Sequence, residues 1–394
     1  MKSGLEVADI FRAYGPAYRK VHGKEMPLSQ HRVMKAIEIC RTSELGGHVD
    51  ECDECRALRI SYNSCRNRHC PKCQSLDKER WLEARKKDVL PVQYFHVVFT
   101  IPEQLWPIAL RNRKVVYSIL FRAVSETLKE LAGDLKHLGA KIGFIAILHT
   151  WSQILLHHPH IHCLVPGGGL SLDGKRWIGC KEDFFIHVEV LSRLFRGKFL
   201  HHLKEAYNSG ALGFPGTIEE LKSKRAFGKL FTELYGKEWV VNSKPAFKNA
   251  ESVMEYLGRY THRVAITNDR IVQLEGNQVI FKYRDREDND KVKLMSVDAL
   301  EFIRRFLLHV LPDGFMKIRH YGILSNRNRN DKLPICKSLL GPPVRDIACI
   351  EEKESWEELL FRITGIDLKV CPHCGKGNMV LKEKLRPRGG RHPP

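Results

Sequence analysis

The sequence lacks any run of roughly 18 apolar residues free of charge, the length a membrane-spanning helix needs, so no such span is expected. Its first residues, MKSGLEVADIFRAYG, carry acidic side chains and no apolar core of the kind a secretory signal requires, which points to an intracellular, cytoplasmic protein. No basic amphipathic helix, lipidation signal or repeat of solenoid length stands out, so a membrane surface and a repeat scaffold are set aside. Acid is short as well: 46 Asp and Glu face 65 Lys and Arg, a net charge of +19 with a pI of about 9.4. Such an imbalance is far from that of a typical metabolic enzyme. It calls for a polyanionic partner, because Lys and Arg gain affinity by releasing counterions from a phosphate backbone, and nucleic acid is the expected one.

What the chain does have is enough apolar material for a real core, 43% of 394 residues, which fits two or three domains. Residues 1–39 show helical spacing in EVADIFRAYGPAYRKV and LSQHRVMKAIEIC, residues 40–73 turn abruptly to Cys, His, Arg and Asn, and SLDKERWLEARKKDVL is helical again. Beyond Pro91 the texture alternates as strands do in QYFHVVFTIP, KIGFIAILHTW and HIHCLVPGGGL, with helical patterns at about 104–136 and 217–235. Helical ESVMEYLGRYTHRV, strand-like RIVQLEG, NQVIFKYRD and KVKLMSV, helical ALEFIRRFLLHVL and strand-like FMKIRHYGIL follow. The mixture predicts an α+β fold, an antiparallel sheet flanked by helices, with a small N-terminal metal-binding module. The composition places boundaries at 1–90, 91–326 and 327–394, the last looser and ending in a basic EKLRPRGGRHPP tail predicted to be disordered.

Twelve cysteines in an intracellular chain argue for thiolate metal sites rather than disulfides. Cys52 and Cys55, and again Cys70 and Cys73, form C-x-x-C knuckles that each aim two thiolates at one ion, and together they complete a tetrahedral Zn²⁺ site. Cys65 and His69 between the knuckles, with Cys40 and His48 upstream, supply ligands for a second zinc, unless they are ordinary buried residues and His69 a surface base. A site filled entirely by protein has no opening for substrate, so this zinc is expected to be structural. Arg66, Arg68 and Lys72 make the module a candidate DNA reader. Cys371 and Cys374 form a third knuckle, which Cys336 or Cys349 would have to complete; the alternative is a pair of reduced structural thiols.

In HPHIHC, read as a strand, His160 and His162 share one face and can share an ion, although the pattern alone is weak. The preceding HTWSQILLHH can fold back through a turn near Leu156 to His158, placing Gln153 opposite His160 as a third ligand, with His149 on the same face as its competitor. Neutral ligands of this kind leave coordination positions open, which suits a metal that grips a phosphate oxygen. Farther on, Tyr256 and Tyr260 lie four apart on one helix face. Val253, Leu257 and Tyr260 form one stripe with Tyr256 on its flank, so packing competes with chemistry as their role. Arg259 and Arg263 beside them can hold phosphates or simply face solvent.

The ordered set L-G-G-H-x3-C-x2-C, Y-N-S-C-R-N-R-H-C-P-K-C-Q, H-P-H-I-H-C-L-V-P-G-G-G-L-S and Y-L-G-R-Y-T-H-R, spread over about residues 30–325, resembles the IS91 family of insertion-sequence transposases. Members join an N-terminal zinc-binding domain to a two-tyrosine nuclease of the HUH class, named for its His-hydrophobic-His motif. The resemblance implies that residues 91–326 are the HUH nuclease, that His160 and His162, with Gln153, hold Mg²⁺ or Mn²⁺, that Tyr256 and Tyr260 are nucleophiles, and that the cysteine cluster holds one or two Zn²⁺. It further implies a bacterial, nucleoid-associated enzyme that nicks single-stranded DNA at element ends through a 5′-phosphotyrosine and transfers the strand to target DNA in rolling-circle-like transposition. A related HUH replication initiator or relaxase, and a non-catalytic zinc-ribbon DNA-binding protein, are the other readings. No oligomeric state follows from the sequence.

Overall fold

A computed structural model describes residues 4–247, 250–260, 264–285, 287–341, 355–365 and 367–388. Among these no helix is long and apolar enough to cross a membrane. Helices and antiparallel sheets are mixed along the chain, the α+β arrangement expected. The chain divides into two compact units, one of residues 1–81, 262–310 and 348–394, the other of residues 82–261 and 311–347. The composition suggested contiguous segments; the observed units are discontinuous because strands and cysteines far apart in sequence come together.

The second of these units is built on a five-stranded antiparallel sheet, ordered Ile318–Gly322, Gly143–Trp151, His157–Pro166, Tyr94–Thr100 and Val241–Phe247. Alternation along each strand sorts the side chains by face. Phe95, Val97, Phe99, Phe144, Ala146, Leu148, Ile161, Cys163 and Val165 enter the main core, under the helices Arg113–Gly133 and Val188–Asn208, where Phe99 meets Phe195 edge-on at 5.0 Å. Burying side chains of this size contributes roughly 1.5–3 kcal/mol each, which locks the register and therefore fixes what the opposite face displays. That opposite face carries His96, His149, His160 and His162. Tyr117, from the Arg113–Gly133 helix, hydrogen-bonds His157 Nε2 at 2.9 Å and anchors the start of the His157–Pro166 strand.

The glycines after Pro166 serve a small neighbouring sheet of Ala140–Lys141, Gly168–Ser171 and Trp177–Gly179. A Cβ on Gly168 would lie 2.4 Å from the Ile178 carbonyl and one on Gly169 2.5 Å from that of Lys141, so both strands approach only because no side chain intervenes.

In the other unit, Met379–Leu385, Gly47–Cys52 and Leu58–Tyr62 form a three-stranded antiparallel sheet in that order. The tail reading thus needs correcting: Glu383, Lys384 and Leu385 belong to a strand, held by pairing with Gly47–Cys52 rather than by their own apolar pattern. The end of EKLRPRGGRHPP, from Gly389, lies outside the described residues. A second sheet, Ile271–Glu275, Gln278–Asp285 and Lys291–Asp298, leads into the helix Ala299–Leu307. This helix packs against Val7–His22 through Phe11 and Phe306, rings 5.2 Å apart and nearly perpendicular. Gln30 Nε2 donates to the Leu307 carbonyl at 2.9 Å, a second donor at a helix end that the Val310 N–H also reaches at 3.2 Å.

Candidate metal centres

The cysteines gather into two tetrads, but not with the partners the spacing suggested. Cys40, Cys65, Cys70 and Cys73 form one; Cys52 and Cys55 join Cys371 and Cys374 in the other. The knuckles Cys52-x-x-Cys55 and Cys70-x-x-Cys73 therefore serve different centres. Cys336 is buried on the helix Arg329–Leu340 and takes no part, and Cys349 lies outside the described residues. Neither His48, whose Nε2 is 3.6 Å from Asp50, nor His69 belongs to a tetrad.

A tetrahedron with Zn–S bonds of about 2.3 Å has S···S edges of about 3.8 Å. The edges here are 3.5 Å for Cys40 to Cys73, 3.6 Å for Cys65 to Cys73, and 3.7 Å for both Cys52 to Cys374 and Cys55 to Cys371. Thiols this close compete for their protons. Hydrogen bonding, first from Cys65, draws Cys40 down to about 7, and that from Cys40 draws Cys73 lower, while Cys65 and Cys70 are pushed up, chiefly by Cys40. A divalent cation replaces those protons and ends the competition, so the residues fit structural Zn²⁺.

The third cluster is His149, His160 and His162, all buried and with ligand nitrogens within 4.8 Å of one another. His149 pairs directly with His160 across the Gly143–Trp151 and His157–Pro166 strands. Gln153 instead sits in the turn, which spans Ser152 to Leu156 rather than Leu156 to His158 and is closed by the Leu156 N–H donating to Ser152 Oγ at 3.2 Å. The polar residue opposite His160 is therefore the histidine, not the glutamine.

Two rings of this cluster are oriented by their outer nitrogens. His160 Nδ1 is 2.7 Å from the His158 carbonyl, which can only accept, so this nitrogen carries the proton and Nε2 keeps its lone pair. His162 Nδ1 lies 2.8 Å from Nε2 of His96, whose pKa is pushed down to about 4 by burial and the Lys244 charge. His96 is therefore neutral near pH 7, and in the tautomer whose Nε2 accepts it leaves Nε2 of His162 as the available donor pair. Such outer partners are what ligating histidines ordinarily have. His96 is a residue that sequence reasoning missed; its signal was a polar ring on the face of YFHVVFT opposite the Phe95, Val97 and Phe99 stripe.

Tyr256, only 5% exposed, comes from the helix Ala250–Tyr260, and its ring centroid is 4.8 Å from that of His96. Tyr260 ends the same helix, while its side chain and that of Arg259, together with Arg263, lie outside the described residues. Arg66 and Arg68 are exposed; Lys72 is held by Glu6 at 2.5 Å.

Cysteine tetrads in one unit and a histidine-bearing antiparallel sheet in the other suit a transposase with a zinc-binding domain, and similarity to known proteins defines that class: residues 10–101 match the "Transposase zinc-binding domain" of IS91 elements and residues 143–332 a family described as "Putative transposase". The chain is 52% identical over 382 residues to "Putative transposase y4qJ" of Sinorhizobium fredii, covering 97% of this chain and 96% of that protein. It is 27% identical over 298 residues to the transposase for insertion sequence element IS801 of Pseudomonas savastanoi pv. phaseolicola, covering 75% and 70% respectively. The chain belongs to the IS91 family of transposases. No solved structure matches it. A transposase is a DNA-processing protein that binds the ends of its element.

Proposed function

We propose that this transposase nicks single-stranded DNA at its element ends with Tyr256 and Tyr260 and transfers the strand through a 5′-phosphotyrosine. The observation that carries the reading is the contact chain from Tyr256 to His96 to His162, which sets a phenol beside the histidine cluster. His149, His160 and His162 would hold Mg²⁺ or Mn²⁺, which when bound polarises the scissile phosphate. The His158 carbonyl keeps the His160 ring in the ligating tautomer, and His96, in the role of acceptor, would do the same for His162.

A phenol with pKa near 10 is ionised in about one molecule in a thousand at pH 7, a deficit of roughly 4 kcal/mol that the site must offset. The phenol oxygen attacks phosphorus, the bond to the 3′ oxygen breaks, and the phenol proton ends on the departing 3′-OH. The phosphodiester energy is retained in the covalent link, so another 3′-OH reverses the step on a different strand without ATP. Tyr260, one turn further along the same helix, is placed in this reading to take a second 5′ end. Arg66, Arg68, Arg259 and Arg263 are assigned to the DNA backbone, with Lys72 engaged by Glu6.

The test is a denaturing gel of the purified chain incubated with labelled single-stranded DNA bearing the element's own end and Mn²⁺ or Mg²⁺. A protein–DNA adduct that disappears in His160→Ala and in Tyr256→Phe with Tyr260→Phe is expected. Tight binding with no adduct for any end sequence or metal refutes the nuclease and leaves a zinc-dependent DNA-binding protein.

A further inference from the structure

We propose that Cys52, Cys55, Cys371 and Cys374 bind a second structural zinc that fastens the C-terminal segment to the N-terminal sheet. The four sulfurs come from knuckles 316 and 322 residues apart in their closest pairings, each 3.7 Å long and near the edge of a zinc tetrahedron. Both knuckles also turn backbone donors onto sulfur, as thiolates require: Cys55 N–H to Cys52 Sγ, His373 N–H to Cys371 Sγ and Gly377 N–H to Cys374 Sγ, all at 3.4 Å. Gly377 closes the arrangement. A Cβ there would lie 2.5 Å from Cys52 Sγ and 2.7 Å from Asp53 Oδ1, so the segment reaches the first knuckle only as glycine.

The surroundings are built to meet it. Asn378 N–H donates to Asp53 Oδ1 at 2.7 Å, Asp53 N–H donates to the Asn378 carbonyl at 3.1 Å, and Lys382 pairs with Glu51. From there Met379–Leu385 runs antiparallel to Gly47–Cys52, Cys52 opposite Met379 and Gly47 opposite Leu385. The tetrad thus lies where two paired strands meet. Its neighbour, Cys40 to Cys73, is assembled from local sequence alone and is complete early in synthesis; the second centre waits for the last part of the chain. Metal binding then supplies the free energy for closing a very long loop, since a preformed site does not exist in the open chain.

The experiment counts zinc by mass spectrometry of metals on the full chain carrying His160→Ala, which keeps the histidine cluster out of the count, and measures zinc–sulfur coordination by X-ray absorption. Two zinc ions per chain, both in four-sulfur environments, are expected, falling to one in Cys371→Ser with Cys374→Ser. Gly377→Ala keeps all four thiols and covers the case in which the double variant does not fold: one of its two zincs should leave to a chelator at least tenfold faster than in the parent. One zinc in the parent chain, two retained after loss of Cys371 and Cys374, or loss of four free thiols to disulfides overturns the proposal.

Discussion

Replacing His96 by alanine tests the chain of contacts on which the nuclease reading rests. With His96 as the acceptor, the 2.8 Å bond to His162 Nδ1 puts the proton of that ring on Nδ1 and leaves Nε2 for a metal. Without it the ring is free to protonate Nε2 and turn its lone pair away from the cluster. Loss of an outer partner of this kind typically lowers metal affinity 10- to 100-fold, about 1.4–2.7 kcal/mol. His96→Asn, whose Oδ1 can still accept, should recover much of that loss. The assay is Mn²⁺ titration by electron paramagnetic resonance, with ¹⁵N imidazole shifts of the metal-free chain reporting the His162 tautomer. Because burial holds His96 neutral, with its pKa pushed down to about 4, its acceptor role should not change between about pH 6 and 8. An alanine variant that melts like the parent, binds Mn²⁺ within twofold of it and keeps a single His162 tautomer refutes the reasoning. If His160→Ala also leaves Mn²⁺ binding intact, the histidine cluster itself is not the metal site.

Other outcomes follow from the same geometry. His149→Ala should abolish Mn²⁺ binding and adduct formation, whereas Gln153→Ala, out in the turn, should leave both unchanged; the reverse pattern would restore the glutamine as ligand. Removing Arg66 and Arg68 together should flatten the slope of log affinity for single-stranded DNA against log salt by about 1.4, while Lys72→Ala, already paired with Glu6, should change it little. Glu301 accepts from Arg304 and Arg305, and these bonds, that from Arg304 first, lower its pKa to about 2. A folded-state pKa below the unfolded one means that the stability is present above about pH 4.5 and lost as pH falls towards 2. Glu301 is partly exposed, so after screening the contribution is on the order of 1 kcal/mol. Urea titration at pH 7 should show Glu301→Gln less stable by that amount, the difference vanishing near pH 2; a constant difference would refute the assignment.

The sequence was most legible where one strand carries its own pattern. HPHIHC alternates, and two of its histidines share a face as expected. Elsewhere the chemistry was readable but the pairing was not. Any C-x-x-C announces two thiolates, yet which knuckles share an ion depends on strand register and on contacts across 316 residues, which local spacing does not encode. Gln153 was misplaced because Leu155 adopts φ 62°, an uncommon conformation for leucine, allowing a tight turn earlier than expected. The helix Val188–Asn208 went unread although Leu191, Phe195, Phe199 and Leu203 are spaced by four and buried. Charged and histidine residues between them mask the stripe.

The order in which the two units share the chain limits how such a protein can be recombined. The backbone leaves the cysteine-bearing unit at residue 81, returns at 262, leaves again at 310 and returns at 348. An exchange at a single crossover point cannot give the cysteine-bearing unit a new partner unit. It would deliver the tetrad of Cys40 and Cys73 but separate Cys52 and Cys55 from Cys371 and Cys374. Chimeric transposases made by swapping N-terminal blocks should therefore fail unless the matching C-terminal segment travels with them.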